Sequence, residues 1–105
     1  MKNSDAVSAL AALAQDSRLS VFRLLVQNVP AGLTAGVIGE QLDLPAPTLS
    51  FHLKTLAQAG LVSMAQEGRF VRYRAEMGGI NALIGFLTDN CCDGHPECCS
   101  PEACQ

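Results

Sequence analysis

A mainly α fold carrying one small β-hairpin follows from three features of the chain. Apolar residues recur at helical spacing through most of the first sixty positions and again after position 80. Two of the resulting helices are short and joined by a tight turn, which makes a helix-turn-helix. Directly after it, Leu61 to Gln66 and Arg69 to Ala75 alternate with period two around Glu67-Gly68, the pattern of a hairpin. A basic hairpin in that place is a wing. The predicted architecture is therefore a winged helix-turn-helix, with residues 1–90 as the DNA-binding and dimerisation domain and 91–105 as a cysteine-rich tail.

The first helix is predicted over Asp5 to Ala14, with Val7, Leu10, Ala11 and Ala14 at i, i+3, i+4, i+7. Lys2 before an apolar stretch loosely resembles a secretion signal, but Asp5 interrupts it and the run is short. The expectation is a cytoplasmic protein with no membrane span, since no apolar run approaches the roughly 20 residues a span needs. Asp16 or Ser17 is expected to cap a second helix that turns Leu19, Phe22, Leu25 and Val26 inward and leaves Arg18 and Arg23 solvated. Pro30 and Gly32 end it. Thr34 is the expected N-cap of a third helix, Ala35 to Leu42, burying Val37, Ile38 and Leu42.

After the turn at Asp43 to Pro45 comes the helix on which the rest depends. Pro47 suits its first turn, Leu49, Leu53, Leu56 and Ala57 form its apolar face, and Gly60 suits the position past its end. Thr48, Ser50 and His52 lie off that face and are expected to meet base edges, with Lys54 on a phosphate. In the hairpin, Arg69 and Arg72 are expected at phosphates or the minor groove, Arg72 and Arg74 sharing one face and Val71 and Tyr73 the other. Gly78 and Gly79 separate the hairpin from a last helix, Ile80 to about Asp89, striped by Ile80, Leu83, Ile84 and Leu87. So apolar a stripe on a terminal helix predicts a homodimer through the first and last helices.

The net charge of −3 argues at first against a nucleic-acid partner. Its distribution argues the other way. Asp89, Asp93, Glu97 and Glu102 lie in the last seventeen residues with no Lys or Arg, so residues 1–88 carry +1. Within 44–75, Lys54, Arg69, Arg72 and Arg74 face Glu67 alone, a local +3. Nothing suggests an enzyme: there is no Gly-rich phosphate loop, no nucleophile–base pair, and only His52 and His95 as histidines.

All five cysteines lie between positions 91 and 104. An odd cluster in a cytoplasmic chain points to a soft metal or metalloid site rather than a disulfide framework. Cys91 and Cys92 are adjacent and diverge by about a hundred degrees on a helix, converging if it unwinds. Gly94 and Pro96 let the chain fold back to bring in Cys98. Three sulfurs on one side suit trigonal As(III) or Sb(III). Zinc or cadmium would take a fourth ligand, which Cys99, Cys104 or His95 could supply. A helix C-terminus together with Asp89 and Asp93 disfavours free thiolates at Cys91 and Cys92, which tilts the expectation from peroxide sensing to metalloid binding. Oxidation of Cys91 or Cys92 with Cys98 or Cys99 is the redox alternative. No organic cofactor is expected.

The chain resembles the ArsR/SmtB metal-responsive repressors over residues 5 to 92. The likeness rests on Asp16-Ser-Arg-Leu-Ser-Val-Phe-Arg-Leu-Leu25, on Thr48-Leu-Ser-Phe-His-Leu-Lys-Thr-Leu56 with Ala59-Gly-Leu-Val62, and on Glu67-Gly-Arg-Phe-Val-Arg-Tyr73. It implies a homodimer that binds double-stranded operator DNA and dissociates when its inducer binds, releasing resistance genes. The best-known arsenic sensors of the family carry Cys-x-Cys in the third helix. Here Thr34-Ala-Gly36 stands in its place, and the last helix offers only Asp89 to zinc. The resemblance thus implies an arsenical branch in which Cys91, Cys92 and Cys98 bind the inducer. If only the Cys91–Cys92 pair binds, a methylated trivalent arsenical is implied instead.

Overall fold

The structure, a computed structural model, describes residues 1–89. The tail at 91–105, with Cys91, Cys92 and Cys98, lies outside the described residues. Five helices and three short strands follow in the order α1 (Asn3–Leu13), α2 (Asp16–Val26), β1 (Leu33–Thr34), α3 (Ala35–Leu42), α4 (Ala46–Gln58), β2 (Val62–Glu67), β3 (Phe70–Ala75) and α5 (Met77–Leu87). The predicted mainly α, winged helix-turn-helix architecture is what is found. None of the described helices is long and apolar enough to cross a membrane.

The α1 helix starts two residues earlier than expected, because the Asp5 carboxylate accepts the Lys2 backbone N–H at 3.0 Å and closes the first turn. Its buried stripe is Ala6, Ala9 and Ala12, while Val7 and Leu10 point to solvent. Alanines let the helix axis come close to the core, so the larger residues are the ones left outside. In α2 the cap is Gln15, not Asp16 or Ser17: its side-chain oxygen accepts the Arg18 N–H at 2.8 Å. Val21, Phe22 and Leu25 are buried and Leu19 is exposed, so the inward face is rotated from the expected one. Arg18 accordingly is not solvated. It is half-buried, and its Nε donates to the Ala12 carbonyl at 2.8 Å, joining α2 to the end of α1.

The α3 helix has the predicted bounds, although Thr34 caps it by position without a side-chain bond. Ile38 is fully buried, while Val37 is more exposed than expected. Asp43 ends the helix in the left-handed conformation, and Leu44 N–H returns to Gly39 O at 3.0 Å, turning the chain into α4. At the far end of α4, Gly60 N–H donates to Ala57 O at 3.0 Å and Leu61 N–H to Leu56 O at 3.0 Å, a Schellman stop.

The wing is a three-stranded antiparallel sheet in the order β1-β3-β2. Glu67 pairs with Phe70, which makes the two-residue turn Gly68-Arg69 rather than Glu67-Gly68. The physical reason is at Gly68, whose φ of +62° is the positive value such a turn needs at its first position. The unexpected strand β1 pairs Leu33 with Tyr73 and Thr34 with Arg72, sewing the wing to the residues that open α3.

The α5 helix begins at Met77, so Gly78 and Gly79 lie in its first turn instead of before it. Glu76 N–H donates to Leu61 O at 2.8 Å, and a Cβ at Gly79 would run into the Gly60 carbonyl. The predicted stripe divides. Leu83 is buried, with Ile80 and Phe86 packed partly against the core, whereas Ile84 and Leu87 are 53% and 56% exposed.

Candidate nucleic-acid interface

The α4 helix seats Leu49, His52, Leu53 and Leu56 in the core, an uninterrupted i, i+3, i+4, i+7 set. The opposite side carries Pro47, Thr48, Ser50, Phe51, Lys54 and Gln58, all exposed. Of the residues expected at DNA, Thr48, Ser50 and Lys54 are therefore on the accessible surface of the helix. His52 is not. At 7% exposure it belongs to the inner face, and its reassignment follows from helical spacing, since it stands three residues after Leu49 and four before Leu56.

Burial gives His52 a different character. Its Nδ1 has no hydrogen-bond partner among the described residues. Desolvation, with the nearby Arg18 guanidinium adding to it, holds the imidazole below its usual pKa of 6.5. The unfolded chain then binds the proton more readily than the folded one. The neutral imidazole's contribution to stability is complete above pH 6.5 and is lost as pH falls through the folded value. Urea unfolding should thus show wild type losing stability between pH 7.5 and 5.5, and His52→Gln losing less. Equal losses in the two proteins would mean that His52 does not couple protonation to folding.

The wing presents its cations unequally. Arg69, at the turn, is exposed and forms no ion pair among the described residues. Arg72 is half-buried, its Nε 2.9 Å from Glu67 Oε1 and its Nη1 donating to Gly32 O at 3.2 Å. That placement leaves less of Arg72 for phosphate than its sequence position implies. Arg74 likewise turns back, its Nε donating to Pro30 O at 3.1 Å and Ala31 O at 3.3 Å, with Glu67 Oε2 at 3.7 Å from its Nη2. Glu67 offsets part of the charge of both arginines. Lys54 on the helix and Arg69 on the wing remain the open cations.

Two large exposed aromatics are absent from the expected set. Phe51 is 63% exposed in the middle of α4's outer side, and Phe70 is 64% exposed at the end of the wing. The usable signal for Phe51 is the same spacing that buries His52: if position 52 faces inward, position 51 cannot. Among the described residues no group of three or more His, Cys, Asp or Glu side chains could hold a metal ion.

Residues 13–65, which span α2 through α4 and most of β2, match the helix-turn-helix domain family. The chain is 32% identical over 88 residues to an HTH-type transcriptional regulator of Methanocaldococcus jannaschii, MJ1325, covering 84% of this chain and 97% of that one. Among solved structures, an ArsR-like transcriptional regulator from a Rhodococcus species superposes with a TM-score of 0.71 at 27% identity, over 80% of this chain and 76% of that one. HlyU from Vibrio cholerae gives 0.69 at 31% identity, over 88% and 99%. The homodimeric winged helix-turn-helix DNA-binding domain of Mycobacterium bovis Mb0332 gives 0.67 at 25% identity, over 88% and 85%. A helix-turn-helix with an accessible second helix and a basic wing, together with these likenesses, makes the chain a transcriptional regulator that belongs to the helix-turn-helix domain family and shares the ArsR-like winged-helix fold.

Proposed function

We propose that the protein is a homodimeric cytoplasmic repressor that leaves its operator when As(III) or Sb(III) binds Cys91, Cys92 and Cys98. The observation that carries the reading is the pairing of two faces on one chain. One is the polar side of α4 with Lys54 and Arg69. The other is the set of aliphatic side chains that α1 and α5 leave in water: Val7, Leu10, Ile84 and Leu87. Exposed aliphatic side chains on two helices packed together are what a subunit interface supplies, and the Mycobacterium bovis relative is a homodimer. The cysteine run starts four residues beyond Leu87 in sequence, so a thiophilic ligand there would act next to that interface.

In the dimer, two copies of α4 would enter successive major grooves about one helical turn apart. Thr48 and Ser50 offer hydroxyls to base edges, and Lys54 and Arg69 offer charge to phosphates. Arg72 chiefly braces the wing. Three of the tail's five thiols would match the three bonds of a trivalent metalloid, whereas a closed zinc site would draw in a fourth ligand from Cys99, Cys104 or His95.

The test is fluorescence anisotropy on DNA from upstream of the protein's own gene, titrated with arsenite, methylarsenite, antimonite, zinc, cadmium and peroxide. Arsenite or antimonite should release the DNA. Release by zinc, cadmium or peroxide alone would replace the inducer, and absence of binding would end the repressor reading. The same assay run against salt should show affinity falling steeply. Lys54→Ala and Arg69→Ala should each flatten the log–log slope by about two, one phosphate per protomer. An unchanged slope in both would remove these residues from the interface.

A further inference from the structure

We infer that Phe51 makes the protein selective for 5-methylpyrimidine, that is thymine, at one position of each operator half-site. The inference deepens the operator-binding reading above and rests on it. Phe51 lies on the outer side of α4, with Pro47, Thr48, Lys54 and Thr55 as its neighbours one turn away. Its ring is 63% exposed, although smaller and more polar residues surround it. The ring meets the buried His52 ring edge-on, centroids 6.0 Å apart at 62°, and it borders the shallow groove between α1 and α4 beside Arg18. Its own carbonyl accepts the Thr55 hydroxyl at 3.0 Å.

An exposed apolar ring on a helix proposed to enter the groove has few chemical partners in DNA. In the major groove the donors and acceptors of the base edges demand polar contacts, and the C5 methyl of thymine is the one apolar group. No acidic residue lies between Leu44 and Gln66 to repel the phosphates, so the ring can approach the groove floor. A protein partner on the same ring would have to exclude DNA from Ser50 and Lys54, which flank it on the accessible side. Covering one methyl should strengthen binding by about four-fold, and two per symmetric site by about fifteen-fold.

The experiment begins with selection of binding sites from a random-sequence duplex pool by the full-length protein. Each thymine of the enriched site is then replaced by deoxyuridine, which removes only the methyl. One symmetric pair of replacements should weaken wild type by about fifteen-fold. Phe51→Ala should bind the thymine and deoxyuridine sites equally and lose selection at that pair alone. The deoxyuridine arm uses wild-type protein, so it does not depend on the variant folding. If every thymine tolerates deoxyuridine, or if Phe51→Ala weakens all sequences uniformly, the inference falls while operator binding stands. If wild type enriches no sequence, both fall together.

Discussion

Serine at Cys91 or at Cys92 is expected to leave operator affinity within about two-fold of wild type while abolishing release by arsenite. A ligand-linked change in DNA affinity of about 1–3 kcal/mol amounts to roughly 5- to 150-fold. Each variant should bring that factor to one, because a hydroxyl oxygen is a hard, weak donor to a soft metalloid that thiolate binds well. Cys98→Ser separates two inducers. If three sulfurs are needed, it abolishes the response to arsenite and spares the response to methylarsenite, which two sulfurs satisfy. Retention of arsenite release in both Cys91→Ser and Cys92→Ser, measured by anisotropy on the operator, would exclude the pair as the sensor.

The largest stability effect is expected at Gly32. Its φ is +76°, and an added Cβ would strike the Tyr73 carbonyl oxygen and the Arg74 side chain. The left-handed backbone alone costs a non-glycine residue about 1–2 kcal/mol. The contact with a sheet carbonyl cannot be relieved by a rotamer change, so Gly32→Ala should lose roughly 3 kcal/mol or more in urea unfolding. A small domain has about 5–15 kcal/mol in total. Gly60→Ala is the matching control. Gly60 has a similar φ of +78° at the left-handed stop of α4 but open space around the new methyl, so its loss should stay near 1 kcal/mol. Equal losses at the two positions would show that the approach of Gly32 to β3 contributes nothing.

The α3 bounds, the stop at Gly60 and the hairpin were legible because capping, turn chemistry and period two are local signals. Strand β1 was not, since two residues have no period and their partners lie about forty positions away. The inner side of α4 was read as Leu49, Leu53, Leu56 and Ala57, and the polarity of an imidazole concealed that His52 completes the set. That single substitution of role put His52 at the DNA and hid Phe51. In α1 the large residues drew attention, while the alanines Ala6, Ala9 and Ala12 make the contact. Charge counting located the basic wing, but it could not reveal that Arg72 and Arg74 turn back toward carbonyls near residues 30–32.

Those two arginines and strand β1 fasten the wing to the loop that leads into α3, and α3 is held to α4 by the Asp43 turn. Helix and wing on one protomer are therefore tied to the same segment of chain. In the proposed dimer, an inducer bound near the last helix would meet a reading head whose helix and wing are joined. What it can alter is the distance and phase between the two heads. DNA sets a strict scale for that change: one base pair is about 3.4 Å along the axis. A repressor built this way would measure its operator, and an inducer would act by making the measurement come out wrong.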